Sequence, residues 1–175
     1  MIIQLCGLSG SGKTTIANKT KELLSTAGIT IEVIDGDEYR KELCADLGFS
    51  RKDRNQNIRR LAFVAGKLAE HRIISIICAI NPYEDVRQEV AKKYSNVKTI
   101  FIDCDMPTLR SRDTKGFYKR AQLPDSDPDK INNLTGVNDP FEEPPAPDLI
   151  IRTHLEPAAV SAKRLYVFIL ENRNN

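Results

Sequence analysis

The sharpest chemical signal in the chain is the run Gly7-Leu8-Ser9-Gly10-Ser11-Gly12-Lys13-Thr14, followed by Thr15. It fits G-x-x-x-x-G-K-[ST], a pattern with a physical mechanism behind it. Glycines let successive backbone N–H groups converge on a phosphate without Cβ obstruction. A lysine at this spacing neutralises the β- and γ-oxygens, and the following hydroxyl is a ligand for Mg²⁺. Gly7, Ser9, Gly10, Ser11, Gly12, Lys13, Thr14 and Thr15 are therefore expected to hold ATP and Mg²⁺. The competing reading is a Gly/Ser turn that binds nothing. An apolar run before the motif and a helical pattern after it argue against that, because the anion needs a helix N-terminus beneath it.

A second constellation is Ile34-Asp35-Gly36-Asp37, two carboxylates just past an apolar run. If that run is a parallel strand, its carboxyl end is where ligands bind. Transfer of phosphate to a hydroxyl needs a proton acceptor and partners for Mg²⁺. Asp37 is expected to be catalytic together with Lys13, and to share Mg²⁺ with Thr14. The plainer alternative is an aspartate that caps the next helix. Among nucleotide-binding classes, a GTPase switch would need N-K-x-D, which is missing. A motor ATPase would place an adjacent Asp-Glu after a strand, whereas Thr99–Asp105 ends in separated acids.

These residues must be positioned by alternating short strands and longer helices, the signature of parallel βα units. Strands are expected at Ile2–Cys6, Ile31–Ile34, Ile73–Ile80, Lys98–Cys104 and Leu149–Ile151. Helices are expected at Lys13–Ala27, Tyr39–Leu47, Arg51–His71, Tyr83–Lys93, Met106–Arg112 and Pro157–Glu171. Ser50 with Asp53 reads as an acidic capping box for the longest of them. From Asp113 to Pro147 the chain is polar, rich in proline and without a period. A stretch of that length is usually functional, and it is read as a mobile lid. The expectation is one α/β three-layer P-loop kinase domain over 1–175, with a five-stranded parallel sheet.

Composition narrows the partners. A formal net charge of +2 argues against a general nucleic-acid binder. No apolar run approaches the roughly 18 residues of a membrane span. Cys6, Cys44, Cys78 and Cys104 show no metal-ligand rhythm, and three lie in apolar runs, which reads as buried thiols in a cytoplasmic setting.

With these blocks in view, the chain resembles the adenylyl-sulfate kinases, which phosphorylate the 3′-hydroxyl of adenosine 5′-phosphosulfate. The resemblance rests on Gly7–Thr15, Asp35-Gly36-Asp37 with Arg40, and Asp46-Leu47-Gly48-Phe49-Ser50. It continues through Asp53-Arg54-x-x-Asn57-Ile58-Arg59-Arg60, Asn81-Pro82-Tyr83 and Arg112-Asp113-x-Lys115-Gly116-Phe117-Tyr118-Lys119. It closes with Leu134-Thr135-Gly136-Val137-x-Asp139-Pro140-Phe141-Glu142-x-Pro144. It implies a small-molecule nucleotide acceptor held by Asp37, Arg40, Phe49, Arg54, Asn57, Ile80, Asn81 and Leu134. It also implies Lys115 and Lys119 on the phosphates, Arg112 on the ATP adenine, and a homodimer.

The chain departs from that family around the acceptor. The usual Ser-Phe-Ile-Ser-Pro-Tyr-Arg reads Cys78-Ala79-Ile80-Asn81-Pro82-Tyr83-Glu84, and Phe-Thr-Gly reads Leu134-Thr135-Gly136; extra residues stand near Leu123–Pro128. If Glu84 pointed inward it would repel an anionic tail, so a second acceptor is set beside the first: cytidine 5′-diphosphoramidate, of capsule biosynthesis.

Overall fold

The computed structural model describes residues 1–173. Five parallel strands form one sheet in the order β2-β3-β1-β4-β5: β1 (Ile2–Cys6), β2 (Ile31–Asp35), β3 (Ile74–Cys78), β4 (Val97–Asp103) and β5 (Leu149–Arg152). Helices α1 (Lys13–Thr26), α2 (Gly36–Glu42), α3 (Arg51–Glu70), α4 (Glu84–Lys93), α5 (Met106–Arg112), α6 (Phe117–Ala121) and α7 (Ala158–Asn172) fill the connections.

β1 and β3 are buried at every position, as strands covered on both faces must be. One face packs Ile3, Leu5 and Ile76 against Ile16 and Leu24 of α1 and Leu165 and Ile169 of α7. The other packs Ile2, Ile34 and Ile77 against Ile58, Leu61 and Ala65 of α3 and Val86 and Val90 of α4. Each fully buried Ile or Leu contributes roughly 1.5–3 kcal/mol. Gln4 breaks the apolar run of β1, yet its amide donates to the Arg87 carbonyl (3.1 Å) and Thr99 Oγ1 (2.9 Å). Among the described residues no helix is long and apolar enough to cross a membrane.

Local signals placed the elements well, with some differences at their ends. β3 stops at Cys78 because the chain bends away, with Asn81 in a left-handed conformation (φ 48°). α2 starts at Gly36, ahead of the expected Tyr39, because Asp35 caps it. Ser50 caps α3 by accepting from the Asp53 N–H (3.2 Å), and its hydroxyl donates in turn to Asp53 Oδ2 (2.7 Å). The lid is not wholly irregular. It contains α6 and a bridge between Thr135 and Asp139, over a small cluster of Cys104, Leu109, Tyr118, Ala121 and Leu134. Gly116 opens α6 at φ 67°, a value glycine supplies without strain.

Candidate active site

β1 lies between β3 and β4. The connection after β1 runs to one side, to β2, while the connection after β3 crosses to the other, to β4, and a crevice opens at the strand carboxyl ends where the direction switches. The Gly7–Thr14 loop lies there. Gly7 is at φ 151°, and a Cβ on it would stand 2.4 Å from the Ile102 carbonyl oxygen, so no larger residue fits. Lys13 is buried and folds back, donating to the Gly7 carbonyl (2.9 Å), the Leu8 carbonyl (2.7 Å) and Ser11 Oγ (3.3 Å). Two distant residues brace the loop. The Tyr118 hydroxyl of α6 donates to the Ser9 carbonyl (2.8 Å), and the Thr153 hydroxyl, just past β5, donates to the Ser11 carbonyl (2.9 Å). Neither was apparent from the sequence, because each partner is more than a hundred residues from the loop.

Burial lowers the Lys13 ammonium from its usual range to about 8. The same burial pushes the neighbouring Cys6 and Cys78 thiols up to about 12, so neither supplies a counter-charge. A triphosphate binds the protonated lysine, so its affinity should fall as pH rises through about 8. At pH 9 the Kd for ATP should be about tenfold higher than at pH 7. Calorimetric titration at constant free Mg²⁺ checks this; a flat profile to pH 9.5 would show that Lys13 keeps its proton throughout.

A cavity of about 220 Å³ is lined by Ser9, Gly10, Gly12, Lys13, Thr14 and Thr15 on one side. Asp35, Asp37, Cys78, Ala79, Ile80 and Lys115 close the other. The Thr14 hydroxyl donates to Asp35 Oδ2 (2.7 Å), and Asp35 Oδ1 accepts from the Asp37 N–H (2.9 Å) as the N-cap of α2. Thr14 is thus bonded to Asp35, a carboxylate not singled out for the metal in the sequence, while Asp37, expected to share Mg²⁺ with Thr14, lines the same cavity. Capping holds the Asp35 carboxylate at the strand end beside Thr14, while Asp37, inside the first turn, reaches an ion pair with Lys115 of the lid. Arg112 donates to the Thr153 carbonyl (2.7 Å) and lines a further pocket with Gly12, Thr15, Ile16 and Pro157, beside the loop.

The second cavity is small, about 80 Å³, and is lined by Gly36, Asp37, Arg40, Phe49, Arg54 and Asn57, with Ala79, Ile80 and Asn81 beneath. Asp37, Ala79 and Ile80 thus belong to both cavities. The Phe49 ring is exposed, with the Arg40 guanidinium 4.6 Å and the Arg54 guanidinium 5.5 Å from its centroid. Arg40 is set by the Leu47 and Gly48 carbonyls, and Arg54 by the Phe49 and Asn133 carbonyls and by Asp139 (3.4 Å). Burial lowers the Arg54 guanidinium somewhat, opposed by Asp139. Asn57 Oδ1 and Asn81 Oδ1 are buried with no hydrogen-bond partner among the described residues.

Leu134, expected at the acceptor, and Lys119, expected on the phosphates, line neither cavity, and Glu84 does not point inward. Leu134 is buried in the lid's own cluster, since its backbone N–H is tied to Asn138 Oδ1 (2.7 Å) and its side chain packs inward. Lys119 sits exposed on α6 and lines neither cavity. Glu84 does not face the acceptor: it pairs with the buried Arg87 (2.8 Å), whose other nitrogens donate to the Asn81 and Glu142 carbonyls. Glu84→Gln should therefore leave the acceptor KM unchanged while lowering stability by about 1.5–3 kcal/mol, the worth of a hydrogen bond to a charged group. Denaturant melts beside steady-state kinetics separate the two; a shifted KM at unchanged stability would return Glu84 to the pocket.

Comparison with known proteins gives a consistent outcome. The family model described as adenylylsulphate kinase matches residues 1–152. The adenylyl-sulfate kinase of Microcystis aeruginosa is 40% identical over 164 residues, 94% of this chain and 88% of the relative. That of Deinococcus deserti is 41% identical over 152 residues, 87% of this chain and 81% of the relative. Among solved structures, the Mycobacterium tuberculosis APS kinase in complex with AMPPNP and APS superposes with a TM-score of 0.89 at 33% identity, covering 97% of this chain and 96% of that one.

Proposed function

The chain belongs to the adenylyl-sulfate kinase family, and on that premise we propose how its own residues carry out the family's reaction. It is an ATP-dependent phosphotransferase that acts on the 3′-hydroxyl of adenosine 5′-phosphosulfate, giving ADP and the 3′-phosphorylated nucleotide. The observation that carries the assignment of roles is the shared wall. Asp37, Ala79 and Ile80 separate the phosphate-loop cavity from the cavity of Arg40, Phe49, Arg54 and Asn57. A donor in the first and an acceptor in the second would meet across Asp37.

In this reading the Gly7–Thr15 loop and Lys13 hold the ATP phosphates, and Arg112 packs on the adenine. Mg²⁺ suits the site because Thr14 Oγ1 and Asp35 Oδ2 present hard oxygens 2.7 Å apart into the phosphate cavity; bound there, it would neutralise charge on the β- and γ-phosphates. Asp37 accepts the proton of the 3′-hydroxyl, and Lys115, already against Asp37, follows the transferring group. Arg40 and Arg54 take the anionic tail, the base stacks on Phe49, and the unpartnered oxygens of Asn57 and Asn81 accept from the nucleoside's N–H and O–H groups.

The acceptor cavity is smaller than the roughly 300 Å³ at which ligand pockets begin, so the acceptor enters by lifting lid residues 113–147, which Asp139 and Asn133 now hold on Arg54. Residues 1–175 are taken as one kinase unit on this basis. A cytoplasmic setting is supported by the four buried unpaired cysteines. A homodimer is proposed from the family resemblance; a Thiobacillus denitrificans relative, of which this chain covers 28%, is described as hexameric. Light scattering on purified protein distinguishes these states.

Neither the nucleotide switch nor cytidine 5′-diphosphoramidate gains support: the relatives are kinases of adenylyl sulfate, and Glu84, the residue set against an anionic tail, is turned into an ion pair. Purified protein with ATP should convert adenosine 5′-phosphosulfate and leave cytidine 5′-diphosphoramidate untouched. Turnover of the second alone would reverse the assignment.

A further inference from the structure

Outside the two cavities, one cluster of donor atoms has no part in phosphoryl transfer. Cys104 and Asp105 follow β4, His154 follows β5, and the parallel pairing of those strands sets their ends side by side. A ligand atom from each of the three lies within 4.8 Å of the other two, so a modest side-chain rotation brings them to the roughly 3.3–3.8 Å separation that a tetrahedral ion with bonds of roughly 2.0–2.3 Å requires.

Further observations separate this cluster from an ordinary loop. Cys104 is more than nine-tenths buried, and it is unpaired. The His154 imidazole has a buried Nδ1 with no hydrogen-bond partner among the described residues, a cost that a ligand would remove. Asp105 is held in place by accepting the Thr108 N–H at Oδ1 (3.0 Å), and a carboxylate keeps further lone pairs after one such bond. Arg112 donates toward Cys104 Sγ at 3.6 Å, as an outer-shell partner of a thiolate ligand would.

We propose that Cys104, Asp105 and His154 form a site for a divalent transition cation of the zinc class, at the carboxyl ends of β4 and β5. One thiolate, one imidazole and one carboxylate suit such an ion, whereas Mg²⁺ prefers oxygen ligands alone. On binding, the Cys104 thiol releases its proton to solvent, and a fourth position is left for water. The site lies beside Arg112 and Thr153, and hence next to the pocket proposed for the ATP base.

The test uses the metal-stripped, reduced full-length protein without nucleotide, titrated with Co²⁺ and then Zn²⁺. One equivalent of Co²⁺ should give a thiolate-to-metal charge-transfer band with the visible bands of tetrahedral cobalt, and one equivalent of Zn²⁺ should abolish them. Cys104→Ser should remove the charge-transfer band. Asp105→Asn, which preserves the helix cap, and His154→Gln should each weaken Zn²⁺ binding at least tenfold, with unchanged circular dichroism showing that they fold. Cys44→Ala is the control that keeps the band. The proposal is overturned if no band forms at millimolar Co²⁺, or if the band survives Cys104→Ser.

Discussion

Lys13→Ala should lower turnover of adenosine 5′-phosphosulfate by about 10²–10³-fold, the usual loss when one preorganised charge donor is removed, and should weaken ATP binding at the same time. The basis is the position of the ammonium. It is buried beneath the loop and bonded to the Gly7 and Leu8 carbonyls and Ser11 Oγ, at the floor of the phosphate cavity. In that dry setting its charge is screened little, so the phosphates gain more from it than from a surface lysine. The same burial that lowers its proton affinity means that removing the charge relieves a desolvation cost, so the variant should fold. Calorimetry for ATP and a coupled ADP assay for turnover provide the measurements. Unchanged ATP affinity with turnover within tenfold of the parent would remove Lys13 from the site.

Asp37→Asn should lower kcat by about 10²–10⁴-fold, the range for loss of a general base, while the Kd for ATP stays within about threefold. Asp37 lines both cavities, and its only ion-pair partner among the described residues is Lys115 of the lid. That pairing raises a competing role, in which Asp37 merely latches the lid. Lys115→Met separates the two. A latch predicts equal losses for both variants, appearing in KM as the lid loosens. A proton acceptor predicts that the Asp37 variant alone loses the acid limb of the kcat–pH profile. Equal losses with parallel pH profiles would assign Asp37 to the lid and leave the proton acceptor to be sought elsewhere. Asp35 should behave differently from both: it contacts Thr14, so its loss should raise the Mg²⁺ concentration needed for half-maximal rate.

What could be read from the residues alone was whatever depends on neighbours along the chain. The phosphate loop, the apolar run of β1, the Ser50 cap of α3 and the basic Arg54–Asn57 turn are local, and local sterics and hydrogen bonding define them. The family blocks added the order of the parts. Tertiary structure decided every matter that turns on residues far apart in sequence. Asp35, not Asp37, meets Thr14 because α1 and the end of β2 come together across the crevice. Glu84, which on paper opposed an anionic substrate, is drawn into a pair with Arg87, because burying that guanidinium requires partners from Asn81 and Glu142. Leu134 turns into the lid's cluster with Leu109 and Tyr118. Thr153 and Tyr118, which brace the loop, carry no local mark at all, since a hydroxyl's partner is known only once the chain has folded. The phosphate loop was therefore legible from its own residues, and the lining of the second cavity was decided by packing across the sheet.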